Sequence, residues 1–277
     1  MKKVLAFDIG GTNTRLALIN ENFEIEKVMV KPTPYGSEQA FLDNIFSLVD
    51  QFPLDDVIAI GAGVPGVVDI ANSRIEVLPN VGISNIELGK ILKEKYGLDL
   101  YIRNDAQVAC IAEAILGAGK DFERVFFVTI STGIGGALCV EGEVQDYVND
   151  VGHTLFKYKD SLQEYEVAGG TNIKKLAKLN DSKIESAKEM FELTEKKDPE
   201  GLRLFNEWIS IIKAYFKLMN DSYYPDIFVV TGGLMKSKHL FFDDIKKSLP
   251  DVEIRECQFS EQAGLIGSAV YAFKSKK

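Results

Sequence analysis

The sequence is poor in the residues that build disulfide and metal frameworks. It holds only three cysteines, Cys110, Cys139 and Cys257, far apart and none in a Cys-x-x-Cys pair. That excludes a disulfide-rich fold and points to a reducing, cytoplasmic setting. There are two histidines, His153 and His239. Without clustered thiols or imidazoles, no zinc site is expected. No apolar run is long enough to span a membrane. The apolar stretch at the N-terminus stops at Asp8, too early for a signal-peptide core. Positive charge is not in excess: the formal net charge is −9, so a nucleic-acid backbone is not the expected partner. The common nucleotide signatures are also missing. There is no G-x-x-x-x-G-K followed by Ser or Thr, and no G-x-G-x-x-G opening a helix.

What is present is a pair of matching glycine-hinged segments. The first runs Phe7-Asp8-Ile9-Gly10-Gly11-Thr12-Asn13-Thr14-Arg15-Leu16-Ala17-Leu18. The second runs Val128-Thr129-Ile130-Ser131-Thr132-Gly133-Ile134-Gly135-Gly136-Ala137-Leu138. Each reads as a strand, a turn of glycine and hydroxyl residues, and a second strand. Glycine lets a ligand approach the main chain closely, and bare N–H groups beside hydroxyls form an anion cradle. One Gly-Gly hairpin alone is only a tight turn. Two of them suggest a polyphosphate gripped from two sides.

The rest of the chain alternates strands and helices. Strands are expected at 4–8, 15–20, 24–31, 57–61, 98–103, 227–231 and 252–257, and helices at 37–51, 86–96, 105–116 and 261–273. Gly97 should stop the second helix. Residues 179–219 read as mostly helical, with Trp208 in the core, and His239 is expected to start a helix. A chain of 277 residues, 46% hydrophobic and 26% charged, can form two ordinary domains. The alternation indicates α/β domains. The strand-turn-strand at the start recurs after 117–121, which suggests a duplicated core. The domains are expected at 1–118 plus 261–277 and at 119–260, with pivots near Gly117 and before Glu261.

Taken in order, these segments resemble the ROK family of sugar kinases and sugar-responsive repressors, within the actin-like ATPase superfamily. Asp8-Ile9-Gly10-Gly11-Thr12 looks like its first phosphate motif and Thr132-Gly133-Ile134-Gly135-Gly136 like its second. Gly63-Val64-Pro65-Gly66 resembles a sugar-side loop, Asn104-Asp105-Ala106 the catalytic motif, and Gly152-His153 a sugar-contacting pair. Thr231-Gly232-Gly233 resembles the adenosine-side turn and Ala263-Gly264-Leu265-Ile266-Gly267 the terminal helix. The resemblance implies a two-domain, ribonuclease H-like α/β fold with a central cleft, acting as a homodimer on a small-molecule sugar, with ATP and Mg²⁺. It implies that Asp105 is the catalytic base. It gives Gly66, Asn80, Asn104, Asp150, His153 and Glu166 to the sugar. It gives Asp8, Gly10, Gly11, Thr12, Asn13, Thr132, Gly133, Gly135, Gly232 and Gly233 to the nucleotide, with Asp8 holding Mg²⁺ directly or through water. Taken alone, Asp105 would be a helix N-cap.

Two departures leave the substrate open. The segment after His153, from Thr154 to Glu166, carries none of the family's zinc-binding cysteines. The family's later sugar-binding Glu falls by strict spacing on Tyr165, with Glu164 and Glu166 on either side. The expected activity is phosphoryl transfer to the 6-hydroxyl of a hexose or N-acylhexosamine, with glucose as default. N-acetylmannosamine, fructose and a β-glucoside stay open, as does a non-catalytic sugar sensor. A repressor of the family would carry a DNA-binding domain ahead of the first phosphate motif. With Asp8 so near the first residue, none is expected.

Overall fold

The computed structural model describes residues 1–148 and 150–276. Lys277, the last residue of the first expected domain, lies outside them. The chain forms two compact units, Met1–Gly117 with Gln258–Lys277, and Ala118–Cys257.

The first unit opens with β1 (Lys3–Ile9), β2 (Asn13–Asn20) and β3 (Ile25–Pro32), then α1 (Glu38–Val49) and β4 (Val57–Val64). Ser37 caps α1 by accepting from the Ala40 N–H at 3.2 Å. Three short strands follow, β5 (Val67–Asp69), β6 (Arg74–Leu78) and β7 (Ile83–Ile86), forming a separate antiparallel sheet. Next come α2 (Leu88–Tyr96), β8 (Leu100–Asn104) and α3 (Asp105–Ile115). Gly97 ends α2 in the left-handed conformation at φ 72°, as a helix-stopping glycine does. The main sheet runs β3-β2-β1-β4-β8. Its first three strands are antiparallel, while β1, β4 and β8 are parallel.

The second unit holds β9 (Arg124–Ile130), β10 (Ile134–Val140) and β11 (Glu143–Val144), then the hairpin β12 (Leu155–Tyr158) and β13 (Ser161–Glu164). It continues through α4 (Ile173–Leu179), α5 (Ala187–Glu195), α6 (Pro199–Tyr223), β14 (Ile227–Thr231), α7 (Phe242–Ser248) and β15 (Glu253–Glu256). Its sheet runs β11-β10-β9-β14-β15. That is the first unit's order and orientation again: an antiparallel hairpin extended by two parallel strands.

The chain then returns to the first unit as α8 (Ala263–Ser275). Strand alternation explains where it packs. Val4 and Ala6 of β1 and Ala17 and Ile19 of β2 face Leu265 and Ala269 of α8. Leu5, Phe7 and Ile9 face the opposite core with Phe41 and Ile45 of α1. Asp8 therefore shares the α8 side of the sheet, because side chains alternate along a strand. In the second unit Trp208 is fully buried among Phe191, Phe205 and Phe241.

Three expectations need correction. The helix expected from residue 86 starts at Leu88, because Ile83–Ile86 pairs with β6. His239 does not start a helix; it lies near the end of the 3₁₀ turn Gly233–Leu240, with its Nε2 2.8 Å from Glu195. The terminal helix starts at Ala263, after a 3₁₀ turn over Ser260–Gln262.

Candidate active site

In the first unit, three parallel strands end side by side. Asp8 of β1 pairs with Gly63 of β4, and Gly63 pairs with Arg103 of β8. Two strand spacings, on the order of 10 Å, separate β1 from β8. Asp105 follows directly as the first residue of α3. The carboxyl ends of parallel strands are where ligands bind in open α/β sheets. Asp8 and Asp105 both stand at that edge.

The N-cap of α3 is Asn104, not Asp105. Asn104 Oδ1 accepts from the Ala106 N–H at 3.0 Å, and its amide donates to the Gly66 carbonyl at 3.3 Å. Asn104 thus ties the Gly66 turn to the helix start. Asp105 is half-buried in the first turn, with Oδ1 2.8 Å from the Ala106 N. Its carboxylate lies at the positive end of the helix dipole. Gly66 sits at φ 141°, and a Cβ there would overlap the Val77 carbonyl; only glycine fits this turn. Exposed Asn80, beyond β6, packs so closely on Gly11 that a Cβ at 11 would lie 2.8 Å from the Asn80 Cβ.

The β1–β2 turn is pinned from below. Gly10 N–H donates to Asn13 O at 2.9 Å, Thr33 N–H to Thr12 O at 2.9 Å, and Thr33 Oγ1 to Gly10 O at 2.7 Å. Among the described residues, no hydrogen bond takes up the N–H of Gly11 or Thr12. The β9–β10 turn repeats the device. Its carbonyls at Ser131 and Thr132 accept from the Gly170 and Thr171 N–H at 2.8 and 3.0 Å, and Ser131 N–H donates to Gly133 O at 2.8 Å. The N–H groups of Thr132 and Gly133 likewise have no partner among the described residues. Gly135 follows within β10. Beside this turn, Gly232 ends β14 at φ 113°, and Gly233 N–H donates to Ser131 Oγ at 3.3 Å. Each unit therefore carries one anion cradle of the same build.

Asp8 is paired with Arg15, its cross-strand neighbour in β2. Burial pushes the Asp8 carboxyl above its ordinary range, against the opposing pull of Arg15. A Cβ on Gly264 in α8 would come within 2.8 Å of this carboxyl, so the missing side chain leaves room beside Asp8. A cavity of about 750 Å³ opens here, lined by Asp8, Gly10, Gly11, Thr12, Asn13 and Arg15 among others. An oxygen donor beside a phosphate cradle suits Mg²⁺, which takes one or two carboxylates plus phosphates and water.

In the second unit, Tyr165 turns into the core, 95% buried by its 5% exposure, and stacks on Phe156 at 4.4 Å. Its two neighbours take separate posts. Glu164 lies 3.0 Å from His153 Nδ1. Glu166 accepts from the Ile134 N–H at 2.8 Å. It sits where a Cβ on Gly133 would lie 2.5 Å from Oε2, and a Cβ on Gly152 2.9 Å from Oε1. Burial raises the Glu166 carboxyl, opposed by that N–H and by His153. Asp150 caps the turn Val151–His153 in the left-handed conformation at φ 49°, and its carbonyl accepts from the His153 N–H at 2.9 Å. Asp150, His153, Glu164 and Glu166 thus form one acidic cluster around a single imidazole.

Glu164 holds the His153 imidazolium and raises its pKa above the ordinary 6.5. The folded value exceeds the unfolded one. The contact therefore contributes fully below about pH 6.5 and fades as pH rises through the raised value. With both side chains exposed, the contribution to stability is small. NMR titration of the His153 ring is expected to give a midpoint above that of an unstructured histidine, and Glu164→Gln should lower it. An unchanged midpoint in Glu164→Gln would contradict the contact.

Arg15 and Gly264 lie in the quoted motifs, but neither was expected to take part in the site. The hairpin register held the signal for Arg15: a four-residue turn between Ile9 and Thr14 sets it opposite Asp8.

The chain matches the family model described as "ROK family" over residues 4–274. It is 24% identical to a glucokinase of Streptomyces coelicolor, with 97% of each chain covered. It is 27% identical to a beta-glucoside kinase of Listeria innocua, covering 98% of this chain and 97% of that one. A solved ROK family glucokinase from Streptomyces griseus, in complex with glucose and AMPPNP, superposes with a TM-score of 0.78 at 23% identity, covering 98% of this chain and 99% of that one. The α/β actin-like ATPase fold implied by the motif order is the fold this likeness shows. A match over nearly its whole length establishes that the chain belongs to the ROK family.

Proposed function

We propose that this chain is an ATP-dependent sugar kinase that transfers the γ-phosphoryl group to the 6-hydroxyl of a hexose or N-acylhexosamine, with glucose as default acceptor. The observation that carries the reading is the arrangement of Asp8 and Asp105 at the ends of two parallel strands of one sheet, with β4 between them, beside a turn whose Gly11 and Thr12 N–H groups have no partner among the described residues. The likeness to a glucokinase and a beta-glucoside kinase supports it.

Phosphoryl transfer depends on positioning and on neutralising charge. The N–H groups of Gly11 and Thr12, and of Thr132 and Gly133, serve the phosphates, with Gly232 and Gly233 toward the adenosine. Asp8 holds Mg²⁺ directly or through water, and the ion when bound neutralises phosphate charge. Asp105 accepts the proton of the attacking hydroxyl. Asn80, His153 and Asp150 serve the sugar hydroxyls, with Gly66 shaping the loop. Glu164 is the better placed of the two glutamates to act with His153, while Glu166 braces the second turn. We take the enzyme to be a cytoplasmic homodimer; light scattering that returned only monomer mass would remove the dimer.

The regiochemistry is testable by product analysis. Carbon and phosphorus NMR of the product should show phosphate on C6. Phosphate on the anomeric carbon would contradict the assignment of Asp105 to the 6-hydroxyl.

A further inference from the structure

We infer that Arg15 is a phosphate-binding residue of the nucleotide site, held in readiness by Asp8. The inference rests on the kinase reading above. Arg15 lies on the cradle side of the sheet, directly across the hairpin from Asp8, and ion-pairs with it through Nη2. Both line the cavity that contains Gly10, Gly11, Thr12 and Asn13. Asp8 retains only 15% of its side-chain exposure, while Arg15 keeps 30%. Arg15 is therefore the more exposed side chain of the pair. Val30 stands opposite Arg15 on β3 and lines the same cavity, a place for the apolar stem to rest.

The chemistry follows from charge and shape. A lone carboxylate beside a phosphate cradle repels a polyphosphate. Paired with Arg15, it is neutralised. The planar guanidinium fork fits a phosphate edge as well as a carboxylate. Arg15 can thus exchange its carboxylate partner for a phosphate oxygen, freeing Asp8 to face a cation. The chain would then bind free nucleotide better than the cradle and Asp8 could without it.

Calorimetry with ADP, once in EDTA and once with Mg²⁺, tests this. Arg15→Ala is expected to weaken ADP binding in EDTA by roughly 10- to 100-fold, with a smaller loss when Mg²⁺ is present. Arg15→Lys should recover part of the loss. Asp8→Asn should move the other way in EDTA, tightening ADP because Arg15 is released. That opposite sign keeps the test valid even if Arg15→Ala fails to fold, as a thermal scan would reveal. Unchanged EDTA affinity in folded Arg15→Ala, or weakened EDTA affinity in Asp8→Asn, would overturn the role of Arg15. Absence of ADP binding to the unaltered chain in both buffers would instead overturn the kinase reading, and this inference with it.

Discussion

Asp105→Asn is expected to lower turnover by about 10²- to 10⁴-fold, the range for losing a general base, while leaving sugar and nucleotide affinity within a few-fold. The reason is local. The cap of α3 is supplied by Asn104 through the Ala106 N–H, so the change at 105 does not uncap the helix. The substituted amide keeps the volume and can still lie near Ala106, but it cannot take a proton. The expected signature is a fall in kcat with little change in KM, the pattern of an interaction made only in the transition state. Asn104→Ala should behave differently. It removes the cap and the link to Gly66, costing about 1 kcal/mol of stability and blurring sugar affinity as well as rate. Steady-state kinetics of both variants separates the two roles. Asp105→Asn with unaltered kcat would remove Asp105 from the chemistry.

The second large effect concerns stability. Trp208→Ala is expected to cost about 3–5 kcal/mol, as for other buried aromatic truncations. The Trp208 side chain is fully buried, with ring centroids 5.3 Å from Phe191 and 5.0 Å from Phe241 in edge-on contact. Its indole N–H also donates to the Ala168 carbonyl at 2.8 Å. Ala168 closes the turn Tyr165–Ala168 that carries Glu166, and Glu166 braces the second glycine turn through Ile134. Trp208→Phe keeps most of the packing but leaves the buried Ala168 carbonyl without its donor, at about 1–3 kcal/mol. Because this is the sole tryptophan, unfolding must be followed by circular dichroism. A Trp208→Ala midpoint indistinguishable from the unaltered chain would contradict the packing described.

Much of this was legible in the sequence. The long strands of both sheets were visible as apolar runs bounded by turn residues, and the two hairpins by their glycines. The small sheet over β5, β6 and β7 was not. Its strands are three to five residues long and separated by Asn72, Ser73 and Pro79, too short for an alternating pattern to mark them in the sequence. The segment around Tyr165 shows the other limit. Spacing alone pointed at a buried aromatic, and only the β12–β13 register, Leu155 opposite Glu164, separates the glutamate beside His153 from the one under Gly133. Asn104 illustrates a third limit: its residue type was informative, but its amide is committed to a cap and a carbonyl, which pattern cannot reveal.

The most direct test of the central claim is an ADP-release assay with Mg-ATP across glucose, fructose, mannose, N-acetylmannosamine, N-acetylglucosamine and cellobiose, with Asp105→Asn alongside. The account predicts strong turnover on one of these sugars, lost in the variant by about 10²-fold or more. Sugar binding by calorimetry with no ADP release on any of them would contradict it and make the chain a sugar sensor instead.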